Sequence, residues 1–170
     1  MVKFPPPLQI EILNKNHNKK LFSSGDEQVD SWLKTKARQS QDKNISRTKV
    51  LVDGNNIVGF YSLVMYHVNF DELPPEINRK LPKTLVPAIK LAWLGVDTNY
   101  KGRGLGKRLL ANALVDCYKM GQLIPFCAVI LDCINSEIKS FYESFDFIEV
   151  PGHSLKMALS WKALQMMYES

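Results

Sequence analysis

The sequence predicts one mixed α/β domain over residues 1–170, with a central sheet of about six to seven strands, an antiparallel N-terminal half and flanking helices. Runs rich in β-branched and aromatic residues at 47–53 and 57–68 enclose the turn sequence DGNN, which is typical of an antiparallel hairpin. An apolar run at 84–96, a helix-period segment at 104–121 and a continuously apolar run at 126–133 form a βαβ crossover. The crossover adds a parallel strand pair to the antiparallel half.

The remaining segments follow from local patterns. Residues 8–13 (LQIEIL) alternate as a first strand, and 23–41 predict one amphipathic helix with Ser24 and Glu27 in capping-box spacing. The proline-containing stretch 71–83 predicts a loop with one helical turn, 135–147 a short helix and 153–161 a late strand. In the terminal helix, Trp161, Leu164 and Met167 share a face that could pack internally or against a partner, so a homodimer stays open.

Composition excludes several classes of function. No apolar run approaches the roughly 20 residues of a membrane span, and the start MVKFPPPLQI is too proline-rich for a signal peptide. We therefore expect a cytoplasmic protein without a membrane partner. Three cysteines without paired C-x-x-C spacing and three scattered histidines predict reduced core thiols and no metal site.

The positive charge is concentrated in the first half of the chain. Residues 1–90 hold 14 Lys and Arg against 9 Asp and Glu, whereas residues 91–170 hold 8 of each kind. A solvated helix face and a polyanion-facing edge both explain the densest stretch. This stretch contains a single acid and six basic residues, which we call the basic set: Lys34, Lys36, Arg38, Lys43, Arg47 and Lys49.

A glycine-rich turn stands where the apolar strand meets the long helix. The first turn of a helix leaves backbone N–H groups unpaired and carries the positive end of the helix dipole, so phosphate can dock there. The residues of this glycine loop, 101–107, alternate small and basic side chains: Lys101, Gly102, Arg103, Gly104, Leu105, Gly106 and Lys107. A tight turn without a ligand is the alternative.

Two common phosphate motifs do not match the spacing of this loop. A P-loop needs glycine where Lys101 stands and Ser or Thr where Arg108 stands. A dinucleotide fingerprint G-x-G-x-x-G needs its last glycine where Lys107 or Leu109 stands, although Asp132 could serve as a ribose-binding acid. The antiparallel hairpin upstream also argues against a dinucleotide fold.

The stretch LAWLGVDTNYKGRGLGKRLL, with NSEIKSFYESFDF after the next strand, resembles the GCN5-related N-acetyltransferase (GNAT) family. The resemblance implies that the loop amides bind the pyrophosphate of acetyl-CoA and that backbone groups of Leu94, Gly95 and Val96 line its pantetheine arm. Asn135 and Phe141 would border the cofactor near its thiol. Lys101 replaces the usual Gln or Arg, and Asp146 replaces a glycine, a position where Asp tolerates a left-handed turn.

Residues 21–64 further resemble the acetyltransferase toxins of toxin–antitoxin pairs, which read F-x-C/S-G, D-x-W-L, A-x-x-x-Q and R-T-x-V in this order. The resemblance implies acetylation of the α-amine of aminoacyl-tRNA, arrest of translation and neutralisation by a ribbon-helix-helix antitoxin. The basic set would then contact tRNA phosphates. Trp93 stands where many members carry Arg, which leaves the amino acid on the tRNA undefined.

Tyr142 is the candidate catalytic acid, because a phenol in the matched YESF element can protonate a leaving thiolate. A core tyrosine with a bonded hydroxyl is the alternative reading. Three function classes stay open: a tRNA-acetylating toxin, an acetyltransferase for a small-molecule or protein amine, and a non-enzymatic module that keeps the fold.

Overall fold

A computed structural model describes residues 2–169, which form a seven-stranded sheet in the order β1-β2-β3-β4-β5-β7-β6. The strands are β1 Gln9–Ile12, β2 Arg47–Asp53, β3 Asn56–Asn69, β4 Leu85–Val96, β5 Ala128–Asp132, β6 Ile148–Val150 and β7 His153–Ser160. The helices are α1 Glu27–Thr35, α2 Ala37–Asp42, α3 Pro75–Asn78, α4 Leu105–Leu123, α5 Lys139–Glu143 and α6 Trp161–Glu169.

The strand directions confirm the predicted mixed sheet. β1, β2 and β3 pair antiparallel, β4 pairs parallel with β5, and β7 lies antiparallel to both β5 and β6. The hairpin register runs from Arg47 opposite Leu63 to Asp53 opposite Asn56, around a turn whose Gly54 has φ 64°. This sheet is not the all-parallel sheet of a dinucleotide-binding fold.

The chain divides into two compact units. The first comprises the chain up to Val64 together with Leu91–Val115, and the second comprises Met65–Lys90 together with the chain from Asp116 onward. The prediction of one domain over residues 1–170 stays a prediction. No helix of residues 2–169 is long and apolar enough to cross a membrane.

The first unit has a core between α1, α2 and one face of its strands. Its buried side chains come from the segment before α1, from both helices and from β2 and β3, with Trp32 and Trp93 partly buried against them: Leu13, Phe22, Val29, Leu33, Ala37, Val50, Val52, Ile57 and Phe60. α2 is also fixed by Gln41, whose side-chain amide donates to the Leu13 carbonyl at 2.7 Å and accepts from the Thr48 N–H at 2.9 Å.

The helix predicted over 23–41 is two helices, and its predicted capping box is wrong. Asp26 caps α1, because its carboxylate accepts hydrogen bonds from the backbone of Gln28 and Val29 at 2.8 and 3.1 Å. The helix breaks at Lys36, where φ is −126°. Just before the break, the Thr35 hydroxyl donates to the Ser31 carbonyl at 2.7 Å, a back-bond that commonly bends helices.

The second unit surrounds the parallel pair and contains β6, a strand that the sequence pattern did not predict. β6 has only 3 residues, too few for a visible alternation of apolar and polar positions. The core joins buried residues of β3, β4, β5, β6 and β7 with Leu73 of the segment after β3: Val68, Leu73, Val86, Ala88, Ala128, Ile130, Val150 and Ala158.

The terminal helix α6 packs within the second unit. The Trp161 ring stacks on Tyr118 of α4, with ring centroids 5.6 Å apart, and meets Phe126 edge-on at 5.3 Å. Leu164 is fully buried. The Trp161 ring also covers Gly121, where an added Cβ would lie 2.1 Å from the nearest ring carbon.

Gly121→Ala should therefore destabilise the protein, although alanine favours a helix by about 1 kcal/mol relative to glycine. A rigid indole ring cannot yield as an alkyl chain can, and overpacking costs roughly 1–3 kcal/mol. Urea unfolding should show a lower midpoint for this variant, with exposed Lys119→Ala in the same helix as the control. A midpoint equal to or above that of the wild type would contradict the packing described.

Candidate active site

The end of β4 leads into the glycine loop through a 3-10 turn at Thr98–Tyr100, and α4 begins at Leu105. Gly102 and Gly104 have φ values of 78° and 73°, a left-handed conformation that side chains other than glycine rarely adopt. A Cβ on either glycine would meet no atom within 4 Å. The loop backbone is therefore bare toward solvent.

This backbone fits a diphosphate group. The first helical hydrogen bond of α4 is donated by the Arg108 N–H to the carbonyl of Gly104, four residues earlier, at 3.2 Å. The amides at the start of the 19-residue helix have no carbonyl one turn earlier to accept their hydrogen bonds, and the helix dipole makes this end positive. The loop therefore offers both hydrogen-bond donors and positive charge to a diphosphate group.

A buried carboxylate connects this loop to the segment before α1. Asp97 is 6% exposed and accepts hydrogen bonds from the backbone N–H groups of Ser23 at 3.0 Å and Asn99 at 2.9 Å. The Thr98 N–H donates to the Ser23 carbonyl at 2.8 Å. Residues 74 positions apart in the chain are thus hydrogen-bonded at the entrance to the glycine loop.

The basic side chains of the loop differ in how they are used. The Lys101 ammonium donates to the Ser24 carbonyl, beside Gly25. The Arg103 guanidinium lies 4.8 Å from the ring centroid of Tyr100 and donates to the Asn99 carbonyl at 3.3 Å. Lys107 is exposed. The side chain of Lys101 therefore holds the segment before α1 in this structure, whereas Lys107 extends into solvent.

Tyr100 anchors the same loop to the hairpin turn. Its hydroxyl donates to the Asp53 carboxylate at 2.9 Å. This hydrogen bond, with the charge of Asp53, raises the pKa of the Tyr100 hydroxyl. The loop is therefore held from two directions, by the segment before α1 and by the turn between β2 and β3.

The three predicted pantetheine-binding positions lie at the end of β4. Leu94 and Val96 are partly buried, and Gly95 is buried. A Cβ on Gly95 would lie 2.9 Å from Val29 Cγ1 and 3.3 Å from the Phe60 ring. Glycine is thus required for β4 to approach α1, and the backbone is the only part of Gly95 that can bind a ligand.

Tyr142 lies on α5 in the second unit, with its ring packed edge-on against Phe141 and Phe147 at centroid distances of 5.1 and 5.8 Å. Burial raises the pKa of its hydroxyl, so the hydroxyl stays protonated at neutral pH. In residues 2–169 no side-chain nitrogen or oxygen is sealed from solvent without a hydrogen-bond partner, and the Tyr142 hydroxyl has no such partner there. The hydroxyl is therefore open to solvent at the end of a buried ring.

The other predicted residues of this segment are near Tyr142 in sequence. The Asn135 side chain caps the turn Ser136–Ile138 by accepting from the Glu137 and Ile138 N–H groups, which leaves its amide NH₂ available. Phe141 is partly buried. Asp146 has φ 68°, in agreement with the left-handed turn expected at the position of the family glycine.

The structure divides the basic set between the two faces of β2. Lys34, Lys36, Arg38 and Lys43 lie on or beside α1 and α2, which cover the Val50 face of the strand. Arg47 and Lys49 lie on the opposite face, because strand side chains alternate. Lys49 is the register partner of Tyr61, whose hydroxyl accepts from Asn112 of α4 at 2.7 Å.

The sequence patterns assigned no role to Asp97, Ser23 or Tyr100. Their partners lie 47 to 74 residues away, and no local pattern links positions so distant. Asp132, the possible ribose ligand of a dinucleotide site, forms an ion pair with Lys90 at 2.9 Å. Residues 2–169 hold no group of three or more His, Cys, Asp or Glu side chains that could bind a metal ion.

Comparisons with known proteins relate this chain to acetyltransferases. The acetyltransferase (GNAT) domain family matches residues 44–149. The tRNA-acetylating toxin of Mycobacterium tuberculosis is 33% identical over 141 residues, covering 83% of this chain and 84% of that protein.

Two solved structures share the fold. AtaT complexed with acetyl-methionyl-tRNAfMet aligns with a TM-score of 0.86 at 22% identity, covering 95% of this chain and 99% of that one. A tyrosine-to-phenylalanine mutant of AtaT, bound to the C-terminus of the antitoxin AtaR and acetyl-CoA, aligns with a TM-score of 0.81 at 20% identity, covering 96% and 99%.

Lys101→Met should lower the free energy of unfolding by about 1 kcal/mol, because the Ser24 carbonyl loses a charged hydrogen-bond donor. Lys107→Met is the matched control. It removes the same charge from an exposed side chain at the positive end of a helix, so its stability should stay within about 0.5 kcal/mol of the wild type. Equal urea midpoints for the two variants would contradict a structural role for Lys101.

Proposed function

We propose, since this chain belongs to the GNAT acetyltransferase family, that it transfers the acetyl group of acetyl-CoA to the α-amine of an aminoacyl-tRNA. The observation that carries the proposal is the bare glycine loop at the start of a 19-residue helix, which suits the cofactor pyrophosphate. The choice of acceptor is supported by a 33% identical relative named for tRNA acetylation. Blocking the α-amine would stop translation, which is the action of a toxin.

In this proposal the first unit binds the donor. Backbone amides of residues 101–107 hold the pyrophosphate, and backbone groups of Leu94, Gly95 and Val96 bind the pantetheine arm. The side chain of Lys107 is free to add charge, and the stacked Arg103 contributes a second positive charge. Asn135 and Phe141 stay the proposed neighbours of the cofactor thiol, as the family resemblance implies. Acetyl-CoA supplies an acetyl thioester when it is bound.

The acceptor amine needs little activation. An α-amino group has a pKa of about 8, compared with about 10.4 for a lysine side chain, so a useful fraction is neutral near pH 7. The protein's main task is then to orient this amine and to manage charge on the departing sulfur. This chemistry suits a site without a strong general base.

Tyr142 is the proposed proton donor to that sulfur. Its raised pKa keeps the hydroxyl protonated, and the hydroxyl is open to solvent without a hydrogen-bond partner among residues 2–169. The unbonded hydroxyl supports an acid more than a core tyrosine with a bonded hydroxyl, whereas burial would raise the pKa in either case. Phe141 and Phe147 fix the direction of the ring.

The basic set is proposed to bind tRNA phosphates. Phosphate contacts supply salt-dependent affinity that does not depend on sequence, which suits an enzyme that recognises the charged end of a tRNA. Lys36, Arg38 and Lys43 are exposed and lie in the helical layer, and Arg47 of β2 is also exposed. Arg47 and Lys49 approach from the other face of β2.

The biological partners follow from the same proposal. A toxin of this kind requires an antitoxin, for which we propose a ribbon-helix-helix protein, and both would act in the cytoplasm, where aminoacyl-tRNA is used. The AtaT structure bound to the antitoxin AtaR supports such a partner. A homodimer is compatible with the proposal, but Trp161 and Leu164 are not available for it because they pack internally.

Tyr142→Phe should reduce acetyl transfer from labelled acetyl-CoA to a pool of aminoacylated tRNA by about 100-fold, since a positioned general acid contributes 10²–10⁴-fold. Tyr118→Phe, which removes a hydroxyl from α4 of the same unit, should transfer normally.

For the wild type, kcat/KM should rise with pH to a plateau above about pH 8, as the α-amine loses its proton.

The acetyl-transfer assay separates a wrong catalytic residue from a wrong acceptor. Undiminished transfer by Tyr142→Phe would remove this residue from the mechanism while leaving the acceptor assignment intact. Wild-type protein that binds acetyl-CoA but leaves confirmed aminoacyl-tRNA unlabelled would overturn the tRNA assignment. A small-molecule or protein amine would then become the acceptor to test.

The triple variant Lys34→Gln, Lys36→Gln, Arg38→Gln should weaken tRNA acetylation and leave acetyl-CoA affinity unchanged. Removing one phosphate contact should lower the slope of log affinity against log salt by about 1. Replacing Arg79, Lys80 and Lys83 by Gln removes the same charge from another surface and serves as the control. Equal effects from both triple variants would attribute the weaker acetylation to net charge and overturn the proposed tRNA surface.

A further inference from the structure

Three aromatic rings form a nearly parallel stack in the first unit. The centroids of Phe60 and Trp32 lie 6.2 Å apart with an interplanar angle of 13°, and those of Trp32 and Trp93 lie 5.3 Å apart at 17°. Phe22 closes the inner end, edge-on to Phe60 at 5.6 Å. The stack therefore starts at a fully buried ring and ends at Trp93.

Trp93 forms the outer end of this stack. Trp93 is only partly buried, and within residues 2–169 Trp32 is the one ring that stacks on it. The inner rings hold Trp93 in place, so its indole is a rigid apolar surface rather than a mobile side chain. A planar or large apolar group can extend such a stack at little entropic cost to the protein.

Trp93 is also close to the proposed reaction centre. It directly precedes Leu94 on β4, and at about 3.3 Å per residue its Cα lies within about 10 Å of Val96 along the strand. The α-carbon of an aminoacyl group carries both the reacting amine and the side chain. An acceptor whose amine reaches the donor strand therefore places its side chain within reach of a ring at this position.

We infer that Trp93, supported by Trp32, selects aminoacyl-tRNA whose amino acid has an aromatic or large apolar side chain. This inference rests on the proposed function. An indole surface gains by covering apolar area, whereas an acidic side chain placed against it would lose hydration without gaining a partner. Trp93 acts as a specificity-determining residue, and Trp32 acts through it as a positioning residue.

The test compares purified, individually charged tRNAs as acceptors of labelled acetyl. Wild-type protein should give a kcat/KM at least about 10-fold higher for phenylalanyl- and methionyl-tRNA than for glycyl- and aspartyl-tRNA. Trp93→Ala should lose most of this preference by lowering only the first pair, and Trp93→Phe should keep much of it. Acetyl-CoA affinity and the thermal midpoint, measured for each variant, separate a specificity effect from misfolding.

The possible failures are distinguishable. No transfer to any aminoacyl-tRNA by the wild type would overturn the proposed function. Efficient transfer without a preference for apolar side chains would overturn the selection by Trp93 alone. An equal drop in kcat/KM for all acceptors with Trp93→Ala, at unchanged acetyl-CoA affinity, would also overturn it, because the ring would then contact a part shared by every tRNA, such as the terminal adenosine.

Discussion

The buried carboxylate of Asp97 is the constraint on which the donor site depends. It is 6% exposed and is satisfied by two backbone N–H groups, those of Ser23 and Asn99. Its own N–H donates to the Val58 carbonyl at 2.8 Å. A carboxylate removed from water is costly unless it is hydrogen-bonded, so β4, the turn after it and the segment before α1 must keep this arrangement. The glycine loop consequently leaves β4 in a fixed direction.

Two glycines then set how closely the helices approach the strands. A Cβ on Gly59 would lie 2.8 Å from Leu109 of α4, and one on Gly95 would lie 2.9 Å from Val29 of α1. These contacts bring α4 against one face of the first unit's strands and α1 against the other. Leu105 and Leu109 are buried, so packing holds the N-terminal turn of α4 in place. The free amides of this turn therefore do not need hydrogen bonds to fix its position.

The two proposals about the acceptor assign affinity and specificity to different residues. Charges of the basic set are proposed to attract any tRNA, and the ring stack that ends at Trp93 is proposed to discriminate between amino acids. Four members of the basic set and Trp32 of the ring stack belong to the layer formed by α1 and α2, whose position follows from Gln41 and from the core around Val29 and Phe60. A change in that core would thus alter the proposed substrate recognition and, through the contact of Gly95 with Val29 and Phe60, the end of β4 as well.

The sequence by itself determined the hairpin, the βαβ crossover and the glycine loop, because each depends on a short-range pattern that neighbouring residues complete. Strand alternation and helical period are local properties, and the structure places the hairpin, the crossover and the glycine-rich turn as predicted. The sequence also indicated the left-handed turn at Asp146. Resemblance to a family, rather than spacing, supplied the roles of Tyr142 and of the backbone at residues 94–96.

Only the tertiary structure decided the remaining features. The capping of α1 by Asp26 instead of Ser24, the kink at Lys36 and the short β6 depend on competition between hydrogen bonds that pattern analysis cannot rank. The internal use of the Lys101 ammonium and the separation of Arg47 from the helical basic residues depend on which chain segments meet. Such contacts join residues tens of positions apart, so burial and hydrogen bonding in the folded chain, not local preference, fix them.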